Sequence, residues 1–357
     1  MKDKRLFCAN LLSRAGVHHL NRLFARDRLS VFSYHRISPK LATGSAPMWD
    51  DDVFGPTAEE FAEHLQILEK HTTVVGQDEL RTLLTAAPGK LKGPYSMITF
   101  DDGYRDCYSV VYPELKRRGL PAVFFITVDF VNDRRVGWWD IIAYLVKQAA
   151  LESPRRIAHQ DESFLLPQEQ TRCIRFFQRE MKKAPQEQAV RLLEELSTLC
   201  GVPLPSRERQ DEQIMTWDQI IEMSKNGMGI GSHTMSHRVL ASLSAEEQTW
   251  ELRESRQRIE SILGQDVFAI SYPVGGTDHL TPQTFRLAKE SGYDLAFVFD
   301  FRSTRAKNCD PHAISRLYPV SDPQKFAAMV KFPRVMAYKQ KSIVYPAVPS
   351  ESPKPSN

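Results

Sequence analysis

Two adjacent carboxylates follow an apolar run in Thr99-Phe100-Asp101-Asp102-Gly103. Side by side they repel, so one must rise in pKa or both must be held by a cation. A metal ion meets that need; the alternative is a polar turn with Asp102-Gly103 at its tip. A Walker-type nucleotide site is set aside, because the 357 residues contain no G-x-x-x-x-G-K-[ST] loop. A second polar cluster, Gly231-Ser232-His233-Thr234-Met235-Ser236-His237, also follows a short apolar run. Histidines four apart share one face of a helical turn and can reach one ion. A lone pair at this spacing is often accidental, but both clusters end strands and would meet on one face. Two imidazoles and one carboxylate then make a three-ligand site with positions left for water and substrate. A third strand end, Ser271-Tyr272-Pro273-Val274-Gly275-Gly276, forms a rigid turn able to present backbone N–H groups.

The elements that must position these residues are legible as short β-branched or aromatic runs: residues 31–35, 73–75, 96–100, 122–127, 229–232, 268–272, 295–299 and 314–318. Helical patterns lie between them. Two of these open with capping-box spacing, Thr57 with Glu60 and Ser244 with Glu247. In the first, Phe61, Leu65 and Leu68 share a face. Eight strand candidates alternating with helices predict an α/β fold, a parallel sheet closed or nearly closed into a barrel, with chemistry at the strand C-termini. About 138–227 the rhythm breaks into amphipathic helical patterns with no convincing strand, which predicts a helical insertion. The expected organisation is a leader helix over 1–29, a catalytic domain over 30–330, and a disordered Pro- and Ser-rich tail over 331–357.

Composition narrows the function classes. The 47 basic and 44 acidic side chains give a net charge of +3, too weak a field to favour nucleic acid or an anionic membrane. Cys8, Cys107, Cys173, Cys200 and Cys309 lie far apart without a C-x-x-C pair, so no disulfide framework is expected. The N-terminal residues lack the apolar stretch of about 7–15 residues that a secretory signal needs, and no apolar run approaches the roughly 20 residues of a membrane span. The reading is an amphipathic leader helix, no transmembrane helix and a cytoplasmic protein.

The order TFDDG, HTMSH, then a strand ending in YPVGG resembles the NodB-type polysaccharide deacetylases, carbohydrate esterase family 4. Tyr34-His35-Arg36, Gly137-Trp138-Trp139-Asp140 and Ser315-Arg316-Leu317 extend the resemblance over roughly residues 30–320. It implies a distorted (β/α) barrel holding one divalent ion, commonly zinc, through Asp102, His233 and His237. It also implies Asp101 as the general base that activates water, the Val274 N–H as oxyanion donor, and an N-acetylated carbohydrate as substrate. Tyr272, Pro273, Gly275, Trp138, Trp139 and Arg316 are the expected substrate-binding residues. Either tryptophan could form a sugar-stacking wall or simply anchor its helix.

Two departures stand out. Many relatives place an arginine at the position of Ser271 to orient the base, and a tyrosine at Val274. Many also take a proton donor from a late Leu-x-His motif, where this chain has Arg316-Leu317-Tyr318. His35 is the preferred substitute, with an intrinsic pKa near 6.5; the alternative is a buried, structural histidine. His312 precedes its strand and is expected at the opposite barrel end. Rival functions are hydrolysis of another C–N bond, as in a cyclic amide or imide, and a catalytically silent carbohydrate-binding protein.

Overall fold

The computed structural model describes residues 4–14, 25–39, 48–86, 90–184 and 186–336. Seven parallel strands form the barrel: β1 (Arg28–Tyr34), β2 (Tyr95–Phe100), β3 (Val123–Ile126), β4 (Gly229–Ser232), β5 (Ala269–Ser271), β6 (Leu295–Phe299) and β7 (Ile314–Leu317). Each pairs with the next in the chain, and β7 returns to β1 through Arg316 opposite Val31, which closes the ring. The eighth candidate, around Thr73–Val74, is not in the ring. It pairs with the start of β2, on the side that β3 occupies further along.

Strand side chains alternate between two cores, as a period of two requires. One set, including Val31, Met97, Val123, Phe125, Leu295, Phe297 and Ile314, packs as a single cluster. The other, including Phe32, Ile98, Phe100, Phe124, Ile270 and Val298, packs in a second cluster with helix residues such as Phe61, Leu65 and Leu68. The first set therefore fills the barrel and the second lies under the helices. Close packing inside explains Gly231, where a Cβ would meet the Phe125 ring at 2.6 Å and the Ala269 carbonyl oxygen at 2.8 Å.

Helix α1 (Lys4–Arg14) docks through buried Ala9 onto the C-terminal helices. Helix α2 (Ala58–His71) begins with the reciprocal capping box of Thr57 and Glu60, and the helix beginning at Ala245 does the same with Ser244 and Glu247. The insertion opens with α3 (Trp138–Glu152), and α4 (Gln170–Lys183) and α5 (Gln186–Cys200) pack on it. It departs from the purely helical expectation. Arg155–His159 and Glu162–Leu166 form an antiparallel hairpin whose Ile157, Phe164 and Leu166 are buried. That hairpin sits on the protein surface with its alternate residues in water, so its apolar pattern is too sparse to read as strands. The tail also begins later than 331: Phe332 and Met336 are buried, and a short helix spans Pro333–Met336. Residues 337–357 lie outside the described residues, as does much of the leader. No helix among the described residues is long and apolar enough to cross a membrane.

His64 ties α2 to two other elements. Its Nδ1 lies 3.1 Å from the Tyr34 hydroxyl and its Nε2 3.1 Å from the Ser321 carbonyl. The neutral ring, with Nε2–H donating and Nδ1 accepting, satisfies both. Burial lowers its pKa to about 4, outweighing the Ser321 hydrogen bond and the Asp322 charge. The unfolded chain thus binds a proton near pH 6.5 that the folded chain resists until about pH 4. Stability should fall as pH drops through this window, and the fall should be shallower in His64→Gln, measured by thermal melts from pH 7 to 4.5. Parallel pH dependences in the two proteins would contradict this.

Candidate active site

Strand β2 ends where Asp101 N–H donates to the Tyr34 carbonyl at 3.1 Å, and Asp102 then turns the chain at φ 74°. The two carboxylates are 2% and 1% exposed. Asp101 keeps the inward parity of Met97 and Thr99. The same parity brings His35 beyond β1, Ser271 on β5 and Arg316 on β7 to it. Arg316 Nη1 donates to Asp101 Oδ1 at 2.8 Å, Ser271 Oγ donates to Oδ2 at 3.3 Å, and His35 Nε2 lies 4.0 Å from Oδ2. Burial pushes the Asp101 carboxyl up, but Arg316, His233 and His35 outweigh it and hold it well below the usual carboxylate range.

Asp102 has a different environment. Burial and the neighbouring charges of Asp101 and Asp140 push its carboxyl well up, and its buried Oδ1 has no hydrogen-bond partner. His233 Nε2 and His237 Nε2 each stand 3.5 Å from that oxygen. The three ligand atoms lie within 4.8 Å of one another. His233 Nδ1 is 2.6 Å from the Ser271 carbonyl, so it carries the proton and leaves the Nε2 lone pair facing Asp102. Burial lowers both histidines below their ordinary pKa. Two neutral imidazoles and an unpartnered carboxylate oxygen fit a divalent cation.

The histidine segment is not the helical turn that its spacing suggests. Thr234 and His237 have φ of 65° and 60°, and the chain from His233 to Val239 is irregular. What folds it is Glu251, on the helix Ala245–Leu263. Its buried carboxylate accepts the N–H groups of Met235 at 2.9 Å and Ser236 at 3.0 Å, and the Ser236 hydroxyl. Among the described residues, four of the seven non-glycines at positive φ are Asp102, Thr234, His237 and Val274. Such strain persists where surrounding contacts over-determine it, commonly at functional sites.

These groups open into a cavity of about 200 Å³ whose lining includes His35, Trp138, Trp139, Val274, Phe299 and Arg316. Val274 has φ 61°, and its N–H makes no hydrogen bond among the described residues. The rest of its turn departs from expectation. Tyr272 is fully buried on the helix-facing side, packed edge-on against Phe285 and donating to the His312 carbonyl, because Ser271 takes the inward position. Pro273 and Gly275 do not line the cavity; the Gly275 carbonyl accepts the Phe299 N–H instead. Arg316, expected at the substrate, lines the cavity, and its guanidinium is bonded to Asp101. Trp139 packs 4.6 Å from the His237 ring and donates to the Tyr104 hydroxyl at 2.8 Å, so it anchors as well as lines the wall. His35 is 24% exposed on its side chain, and burial above all lowers its pKa to about 4, so it is neutral at pH 7. His312 bonds through Nε2 to the Tyr293 carbonyl, away from this cavity.

Sequence reasoning missed several groups. Tyr104 donates to Asp140 at 2.7 Å, and Asp140 also accepts the Asp50 N–H at 2.9 Å, which pins Asp50, Asp52 and Val53 as one cavity wall. Gln178 of α4 reaches the same wall and donates to Asp50 at 2.7 Å. No local spacing signals these partners. Glu251 could have been suspected, since it is an acid on the buried face of a helix.

The closed seven-stranded parallel barrel, with acids and imidazoles at its C-terminal mouth, fits the NodB-type (β/α) barrel. The polysaccharide deacetylase family model matches residues 89–195 and 201–296, more than half of the chain, and the protein belongs to that family. It is 22% identical over 236 residues to the putative polysaccharide deacetylase YxkH of Bacillus subtilis (strain 168), covering 66% of this chain and 56% of that protein; the match thus spans little more than half of the relative. Two solved structures share the fold at 18% identity. The Streptococcus pyogenes deacetylase PplD in complex with acetate has a TM-score of 0.54, covering 87% of this chain and 99% of that one. IcaB from Ammonifex degensii has a TM-score of 0.52, covering 85% and 97%.

Glu251→Ala would strand the buried Met235 N–H and the part-buried Ser236 N–H, so it should lower unfolding free energy by roughly 2–4 kcal/mol, by chemical denaturation. A loss below about 1 kcal/mol would mean that the turn does not depend on Glu251.

Proposed function

We propose that this protein removes N-acetyl groups from N-acetylhexosamine residues of a glycan, with a divalent ion, zinc by its donor set, held by Asp102, His233 and His237. The carrying observation is the division of labour between the two aspartates. One is ion-paired to Arg316 at 2.8 Å; the other has a bare buried oxygen between two imidazoles. A bound divalent ion supplies Lewis acidity, which polarises the acetamide carbonyl and acidifies water.

The chain's own residues supply the rest. Asp101, fixed by Arg316 and Ser271, accepts the proton of the attacking water at Oδ2. Because its carboxyl is held far below the usual range, it does not retain that proton. His35 Nε2, 4.0 Å away and neutral at pH 7, takes it and passes it to the departing nitrogen. This replaces the expectation of a ready-made imidazolium by a relay. The Val274 N–H faces the developing oxyanion, while Trp138, Trp139 and Phe299 give the sugar apolar walls. Acetate and a free amine leave.

The test is acetate release from N-acetylglucosamine oligomers by the metal-loaded protein. Asp101→Asn should abolish turnover with metal content unchanged, and His35→Ala should reduce kcat by about 10²- to 10⁴-fold. Absence of acetate release from the wild type, or near-normal turnover in Asp101→Asn, would refute the reading.

A further inference from the structure

Helix α4 brings a charged feature to the cavity that the chemistry above does not use. Its Arg179, Lys182 and Lys183 stand three and four residues apart, on one helix face. The opposite face buries Cys173, Phe177 and Met181. Lys182 lines both the catalytic cavity and an adjoining groove of about 330 Å³, which Arg179, Lys183, Ser242, Asp278 and His279 complete. Lys182 is thus shared by the two linings, and the groove adjoins the catalytic cavity at that side chain.

The charges in this groove do not cancel. Asp278 is the one carboxylate among its lining residues, against three cations. Glu180 pairs with Lys183 at 3.0 Å and lies 3.6 Å from Arg179, so one acid is shared by two bases. Lys182 has no ion-pair partner among the described residues. An unshared ammonium at the junction, flanked by a guanidinium and a second ammonium, suits an anionic oxygen group. A cavity of about 200 Å³ around the two aspartates leaves the neighbouring sugar to be held in the adjoining groove.

We propose that this groove is a subsite for an anionic group, a uronic-acid carboxylate or a phosphate ester, on the part of the glycan adjoining the N-acetylated residue. The inference rests on the deacetylase reading for the position of the N-acetyl group. It adds the substrate class: an acidic glycan in place of a neutral one. The groups share one chemistry, compact oxygen anions accepting hydrogen bonds from Lys and Arg, and different substrates separate them.

The experiment compares three acetyl donors at low and high salt: neutral N-acetylglucosamine oligomers, oligomers alternating N-acetylglucosamine with glucuronic acid, and N-acetylglucosamine 1-phosphate. The wild type should favour at least one acidic donor over the neutral one by about tenfold in kcat/KM, through KM, and the preference should shrink as salt screens the groove. Which acidic donor is favoured identifies the anion. In Arg179→Gln/Lys183→Gln the ratio should fall towards one. A wild-type ratio at or below one, or an unchanged ratio in the double variant, would overturn the subsite. If no donor releases acetate, the deacetylase reading fails, and titration calorimetry with the acidic oligomer then decides the subsite separately. Binding by the wild type that weakens about tenfold in the double variant supports it; equal binding, or none, overturns it.

Discussion

Two neighbouring carboxylates buried at the end of one strand set the terms for the rest of this molecule. A buried, unpaired carboxylate is costly enough that it either protonates or acquires a counter-charge. Asp101 acquires Arg316 from β7, on the far side of β1, and that pairing depends on β7 closing the ring against β1. Asp102, turned aside by its positive φ, faces two neutral imidazoles instead, which bring no charge of their own and which the proposed cation would complete. The closure of the barrel and the chemistry at its mouth are thus the same constraint seen from two sides.

The supporting elements are arranged around that constraint. Inward parity on four strand ends brings together His35, Asp101, Ser271 and Arg316 without any loop having to reach. The two histidines do need a loop, and Glu251 holds it from the neighbouring helix through backbone N–H groups. A second buried acid, Asp140, holds Tyr104 and the Asp50 backbone, and so fixes the cavity wall on the other side. The insertion contributes through its first helix, which carries Trp138 and Trp139, and through α4, which carries Gln178 and Lys182.

Much of this was legible in the order of the residues. Each ring strand carries an apolar run strong enough to read alone, because both faces of a parallel strand are buried. The runs ending in Asp101-Asp102 and in the histidine motif pointed to one mouth for the same reason. The Thr73–Val74 run looked equivalent but is too short to span the barrel. The hairpin 155–166 was hidden, since half of its residues face water. Arg316 was recognised as a site residue but given to the substrate; counting parity forward from Ile314 would have aimed it inward at Asp101. Tyr272 was misassigned by the same oversight, one residue out of phase with Ser271. The wall formed by Asp50, Gln178 and Asp140 is long-range, and no spacing rule reaches it.

The central claim is that one cation completes the Asp102, His233 and His237 cluster. Anomalous diffraction at the zinc edge from crystals grown with one equivalent of zinc tests it most directly. The account predicts a single strong peak about 2.0–2.2 Å from an Asp102 oxygen and the Nε2 atoms of His233 and His237, with the Arg316–Asp101 pair undisturbed. A peak at other residues, or density showing Asp102 hydrogen-bonded to both imidazoles with no ion between them, would contradict it.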